Sequence, residues 1–170
     1  HVGNTMIDTM VAFDEEIRGC NVINELALTT DKFVLMTIHR PSNVDSEEGL
    51  RKLLDLLKYL GDKLKIIFPI HPRTTQRIRD FSLDEEFNSL SSLVRTEPMS
   101  YFDFQKLVAE CTCVLTDSGG IQEETTFRQK PCLTLRDNTE RPITVDVGTN
   151  ILVPFDVEII KGYLDSILSG

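Results

Sequence analysis

Residues 112–135, TCVLTDSGGIQEETTFRQKPCLTL, decide the fold class of this chain. TCVLT, 112–116, is a short apolar and β-branched run that reads as a strand buried on both faces. Residues 119–128 follow as a helix behind the turn residues Asp117 to Gly120, and 131–135 read as the next strand. Strand, helix and strand in that order form a parallel crossover unit, since an antiparallel pair needs only a hairpin.

The same alternation runs outward in both directions. Towards the N-terminus, KFVLMTIH (32–39), LKIIFPI (64–70) and 93–96 read as strands, with Pro69 near the end of its run. Between the first two, residues 47–60 place Leu50, Leu53, Leu54, Leu57 and Leu60 on one helical stripe, with Ser46 to cap it and Gly61 to stop it. Further helices are expected over 73–81 and over 102–111, the latter with Phe104, Leu107, Val108 and Cys111 on one side. Towards the C-terminus, a short helix over 142–147, a strand over 151–153 and an amphipathic helix over 157–168 complete the series. One ragged helix is expected over 4–17. The class is α/β, a Rossmann-like doubly wound parallel sheet of about six strands with helices on both faces.

Composition narrows the function. A chain of 170 residues, 41% hydrophobic and 26% charged, is one globular domain. No apolar run reaches the roughly 18 residues of a membrane helix, and no basic leader opens the chain, so neither membrane insertion nor a signal peptide is expected. A net charge of −9 argues against a nucleic-acid footprint but leaves room for a small anion held by local Arg, His and backbone amides. Cys111-x-Cys113 lacks zinc or redox spacing, and Cys113 and Cys132 fall within strands, so all four cysteines read as reduced thiols. No metal set, nucleophile elbow or Ser–His–Asp order appears.

In a doubly wound sheet, ligands bind beyond the strand carboxyl ends. There the sequence places His39-Arg40, His71-Pro72-Arg73, Asp117-Ser118-Gly119-Gly120 and the loop 136–141. Ser118 can cap the following helix or donate to a phosphate, and Gly119 and Gly120 let a ligand approach the unpaired helix amides. Glu123 and Glu124, one turn on, read either as solvated surface or as acceptors for ribose hydroxyls. Arg141 can neutralise a phosphate or hold its loop to a carboxylate such as Glu140.

The ordered set VGNTMID, TIHRPSNVD, FPIHPRT, TDSGGIQEE and LRDNTERPITVDVGTN, spread over residues 2–169, resembles the non-hydrolysing UDP-N-acetylglucosamine 2-epimerases. The resemblance implies the second half of a two-domain glycosyltransferase-B architecture. Residues 1–170 would be its UDP-binding C-terminal domain, with the N-terminal domain absent from this chain. It implies interconversion of UDP-GlcNAc and UDP-ManNAc by elimination of UDP to a 2-acetamidoglucal and its re-addition, without metal or nicotinamide. By the family pattern, Ser118, Gly119 and Gly120 take the diphosphate, Glu124 the ribose and Arg141 the phosphates. Phe104 neighbours the uracil, or else fills an ordinary core position, and His39 acts catalytically beside the departing diphosphate. Arg40, His71 and Arg73 are candidate substrate or regulatory contacts. The acids that exchange the C2 proton lie in the N-terminal half, so this chain alone is expected to be inactive. Homodimerisation and a cytoplasmic role in cell-surface polysaccharide biosynthesis are also implied. The alternatives are another enzyme of the same architecture, a hydrolysing epimerase or glycosyltransferase, and a non-catalytic nucleotide-sugar sensor.

Overall fold

The computed structural model describes residues 4–28 and 32–169; Val2 and Gly3, which open the first family motif, lie outside the described residues. Three helices come first, α1 (Thr5–Ala12), α2 (Asp14–Gly19) and α3 (Val22–Glu25). The alternating series then runs β1 (Phe33–Thr37), α4 (Pro41–Val44), α5 (Glu47–Gly61), β2 (Lys65–Pro69), α6 (Pro72–Asp80), α7 (Asp84–Asn88) and β3 (Leu93–Thr96). It continues through α8 (Tyr101–Glu110), β4 (Cys113–Thr116), α9 (Ile121–Phe127), β5 (Cys132–Leu135), α10 (Pro142–Asp146), β6 (Asn150–Val153) and α11 (Val157–Ser169).

All five strand pairings are parallel, in the order β3-β2-β1-β4-β5-β6. The chain therefore winds one way from β1 to β3 and the other way from β4 to β6. The reversal opens a crevice between the carboxyl ends of β1 and β4, the position where such sheets bind ligands.

Each central strand is buried on both faces, so its side chains alternate between two cores. Val34, Met36, Ile66, Phe68, Cys113 and Leu115 join the larger core under α5, α6 and α11. Phe33, Leu35, Ile67, Val114 and Cys132 join the smaller core under α3, α8 and α9. The leucine stripe of α5 is wholly inside the larger core, with Leu56 added to the five residues of the sequence pattern. Ser46 caps α5 as expected, its hydroxyl accepting the Gly49 amide at 3.1 Å. Gly49 is fixed for a second reason: a Cβ there would stand 2.2 Å from the Asn43 carbonyl oxygen, so only glycine lets α4 and α5 meet.

Three expectations change. The helix over 4–17 is broken at Phe13 into α1 and α2, because Phe13 leaves helical geometry and the acids Asp14, Glu15 and Glu16 begin a new first turn. The short helices α3, α4 and α7 were not legible, being too brief to show a period. The helix after β4 starts at Ile121 rather than at 119, leaving Ser118 and Gly119 in the loop.

Candidate functional site

The crevice is organised by one buried carboxylate. Asp117 follows β4 directly and has 0% exposure, yet it faces four donors from the β1 side. It accepts the backbone amides of His39 at 3.0 Å and Arg40 at 2.8 Å, the Asn43 side-chain amide at 3.0 Å, and His39 Nδ1 at 3.1 Å. Beneath it, the Thr37 and Thr116 hydroxyls pair at 2.7 Å, and the Asp117 amide donates to the Thr37 carbonyl. Burial pushes the Asp117 carboxyl up, but the bonds from His39, Arg40 and Asn43 outweigh it and hold the group below its ordinary value. The same bond raises the His39 pKa, against desolvation of the ring and repulsion from Arg40. The structure thus supplies an imidazole whose cationic form is favoured by its carboxylate partner.

Across the crevice, the Ser118 amide is tied to the Thr116 hydroxyl at 2.9 Å. Gly120 is the N-cap of α9 and, among the described residues, no side chain caps that helix. The first-turn amides of α9 therefore remain available to an acceptor. Arg136, which follows β5, lies over Gly119: a Cβ there would meet Arg136 Nη1 at 3.3 Å and Glu140 Oε2 at 3.4 Å. Arg136 forks onto Glu140 at 2.9 and 2.7 Å with its own side chain only 6% exposed. Glu140 is taken by Arg136, and the carboxylate that Arg141 holds is Glu123, to which its Nε donates at 2.8 Å. The Arg141 loop is fixed from below by a buried relay. Thr134 of β5 donates to Asn150 of β6, Asn150 donates to Thr144 of α10, and Thr144 donates to the Arg141 carbonyl at 2.7 Å.

The two glutamates, adjacent in sequence, have different surroundings. Glu123 pairs with Arg141, whereas Glu124 is 4% exposed and packs beside Gln105, Tyr101 and Arg128. Burial raises the Glu124 pKa against the lowering effects of Gln105 and then Arg128. Around it, both amide atoms of Gln105 and the Nε and Nη2 of Arg128 are buried without hydrogen-bond partners.

The remaining candidates are distributed unevenly. The His39 and His71 rings stack with centroids 5.4 Å apart, so the two histidines do converge at one sheet edge. His71 Nδ1 accepts the Arg73 amide and caps α6. Arg73 is engaged elsewhere, gripping Asp45 at 2.9 and 2.8 Å and, with Arg77, holding the Asp45 carboxyl down at about 2. Arg40 lines an open cleft of about 370 Å³ with Asn43, Arg136 and Asn138. Phe104 is half-buried against the smaller core. A larger cavity of about 420 Å³ touches Ala109, Phe127 and Arg128 at the far ends of α8 and α9, away from the crevice. Among the described residues no three His, Cys, Asp or Glu side chains gather as a metal site, and no helix is long and apolar enough to cross a membrane.

This arrangement agrees with what comparison with known proteins returns, a match to UDP-N-acetylglucosamine 2-epimerases across residues 1–170. The chain belongs to that family. The Methanocaldococcus jannaschii UDP-N-acetylglucosamine 2-epimerase is 40% identical over 158 residues, covering 89% of this chain and 43% of the relative. The Methanococcus maripaludis enzyme of the same name is 36% identical over 175 residues, covering 99% and 48%. A crystal structure of the M. jannaschii UDP-GlcNAc 2-epimerase in complex with UDP-GlcNAc and UDP matches with a TM-score of 0.88 at 38% identity, over 99% of this chain and 48% of that one. The chain thus spans about half the length of these relatives, and its sheet is one Rossmann-like half of the glycosyltransferase-B architecture.

Two residues were missed as site members in the sequence. Asp117 and Arg136 stood at strand ends, but an Asp or Arg in a loop is ordinary until its partners are known.

Proposed function

We propose that this chain is the UDP-binding C-terminal half of a UDP-N-acetylglucosamine 2-epimerase, acting with an N-terminal half to interconvert UDP-GlcNAc and UDP-ManNAc. The observation that carries the reading is the juxtaposition of a cation-biased His39 and the uncapped α9 start across the β1–β4 crevice. A diphosphate is the ligand that uses both: the amides after Gly119 and Gly120, with Ser118, hold its charge, and Arg141 approaches from the next loop. Glu124, one turn along α9, takes the ribose hydroxyls, and Phe104 borders the base. Arg40 and His71 face the same edge, and Arg73, paired with Asp45, supports that edge from the side.

In the reaction, the bond between sugar C1 and the diphosphate oxygen breaks with its electron pair leaving on UDP. The C2 proton passes to a base of the N-terminal half, giving the 2-acetamidoglucal. Return of a proton to the other face of C2 and of UDP to C1 completes the inversion, redox-neutral overall. His39 contributes by placing positive charge and an N–H at the developing diphosphate, where such groups act most strongly. In this reading the whole enzyme is a cytoplasmic homodimer that feeds cell-surface polysaccharide synthesis.

The test is a calorimetric titration of the chain with UDP and UMP, followed by product analysis after the N-terminal half is supplied. UDP binding well above UMP, and epimerisation only with both halves present, are the expected results. Equal affinity for the two nucleotides would remove the diphosphate from the α9 start. Release of free UDP with ManNAc would indicate a hydrolysing enzyme instead.

A further inference from the structure

Two neighbouring residues of α9 grip the loop that carries Arg141. Glu123 takes the Arg141 side chain, accepting Nε at 2.8 Å. Gln122, the second residue of α9 and 0% exposed, reaches the main chain of the same residue through an intermediary. Its Oε1 accepts the Thr139 hydroxyl at 2.5 Å, and that hydroxyl oxygen accepts the Arg141 amide at 2.9 Å. Gln122 Nε2 is buried without a partner, so the bond to Thr139 is the one polar contact of this side chain among the described residues. Arg141 is thus held at its amide by Thr139, at its carbonyl by Thr144 and at Nε by Glu123. Its Nη1 reaches only the Glu140 carbonyl, at 3.3 Å, and Nη2 carries no hydrogen bond among the described residues.

A hydroxyl has a single proton to donate. Because Thr139 receives the Arg141 amide, its own proton must point elsewhere, and Gln122 Oε1 is the acceptor that sets the direction. With the proton held by α9, the lone pair facing Arg141 stays in place. An apolar side chain at 122 would leave the hydroxyl free to turn, and the Arg141 amide would lose its fixed acceptor.

We infer that Gln122 is a positioning residue for Arg141, acting through Thr139 to hold the guanidinium in register with the first-turn amides of α9. The clamp for a diphosphate is then assembled before the nucleotide arrives. This rests on the reading that the diphosphate sits between the α9 start and Arg141. Residues 136–141 join β5 to α10 without regular structure of their own. Ordering such a segment at the moment of binding subtracts from affinity, and a loop ordered in advance avoids that loss. Among the described residues, the hydrogen bonds from this loop to α9 are Thr139 to Gln122 and Arg141 to Glu123. The second restrains the guanidinium, and only the first leads to the main chain that carries it.

The experiment is a calorimetric titration of the chain with UDP, repeated on Q122M, T139V, T139S, R141Q and the double variant Q122M/R141Q. Q122M keeps the length of the side chain and removes the acceptor, and T139V keeps the shape and removes the hydroxyl. Each is expected to weaken UDP about 3- to 10-fold, the effect of one hydrogen bond and less than that of R141Q. T139S, which keeps both bonds, should stay within about twofold of the unaltered chain. In the R141Q background, Q122M should add less than about twofold, since one residue acts through the other. A Q122M effect as large with R141Q as without it would mean that Gln122 supports the helix alone, and would overturn the inference. Unchanged affinity in Q122M while R141Q is weakened would overturn it too. If R141Q binds UDP as the unaltered chain does, Arg141 is not at the diphosphate and the underlying reading fails first. Should Q122M not fold, T139V combined with R141Q reads the same coupling from the loop side.

Discussion

His39 Nδ1 lies 3.1 Å from an Asp117 carboxylate oxygen, and the other oxygen of the same group receives the backbone amides of His39 and Arg40. One side chain at the end of β4 thus both raises the pKa of the imidazole and holds the path of the chain leaving β1. The two central strands are adjacent although β2 and β3 intervene in sequence, and this bond fastens them at the ligand edge.

Replacing Asp117 by Asn should disturb both roles. The amide cannot accept from all four donors, and the unfolding free energy should fall by about 2–4 kcal/mol, as for other broken buried ion pairs. Urea unfolding with an unchanged slope checks the stability. A fall in the His39 pKa, followed by NMR of the ring protons, checks the coupling.

The pair also gives a signed pH dependence. The His39 pKa is raised in the folded protein, so its contribution is full below the unfolded value of about 6.5 and is lost as pH climbs through the folded one. The Asp117 pKa is lowered, so its contribution is present above the unfolded value of about 3.9 and is lost as pH falls through the folded one. Stability from this pair should therefore plateau between those two values. In H39N the loss on the alkaline side should disappear, read from denaturation midpoints across the range.

Arg141→Gln separates binding from stability. The Arg141–Glu123 pair is partly exposed, with the arginine side chain at 39%, so its removal should change stability by no more than about 1 kcal/mol. Affinity for UDP should fall roughly tenfold or more, because a charge-assisted contact to phosphate is lost. A weaker salt dependence of the remaining binding would accompany it.

Gly119→Val tests the close packing over the α9 start. Its first carbon already meets Arg136 and Glu140 at van der Waals limits, so the branched side chain must displace that ion pair or fill the approach to the amides. UDP binding should drop at least tenfold by loss of access to the helix amides, with a stability loss of about 1–2 kcal/mol at most. Calorimetry and thermal melting on the same sample distinguish the two.

The cysteines should divide one against three. Burial pushes the Cys111 thiol up to about 12 and the Cys132 thiol up to about 11, and raises Cys113 further, while Cys20 is only partly covered. A disulfide reagent should label one thiol in the native protein at neutral pH and all four in denaturant.

The sequence by itself determined the sheet. Buried strands of four or five residues carry runs such as FVLMT and CVLT, and the α5 leucine stripe repeats at helical spacing; both signals are local, and parallel order follows from their alternation. The motif order likewise placed His39, Ser118, Gly119, Gly120 and Arg141 along one edge. What only tertiary structure decided is which charged group meets which. Asp117 reaches His39 across 78 positions of sequence, and Arg141 pairs with Glu123 while Arg136 takes its neighbour Glu140. Hydrophobic periodicity is written along the chain, whereas the pairing of buried polar groups depends on distances set after the core has closed.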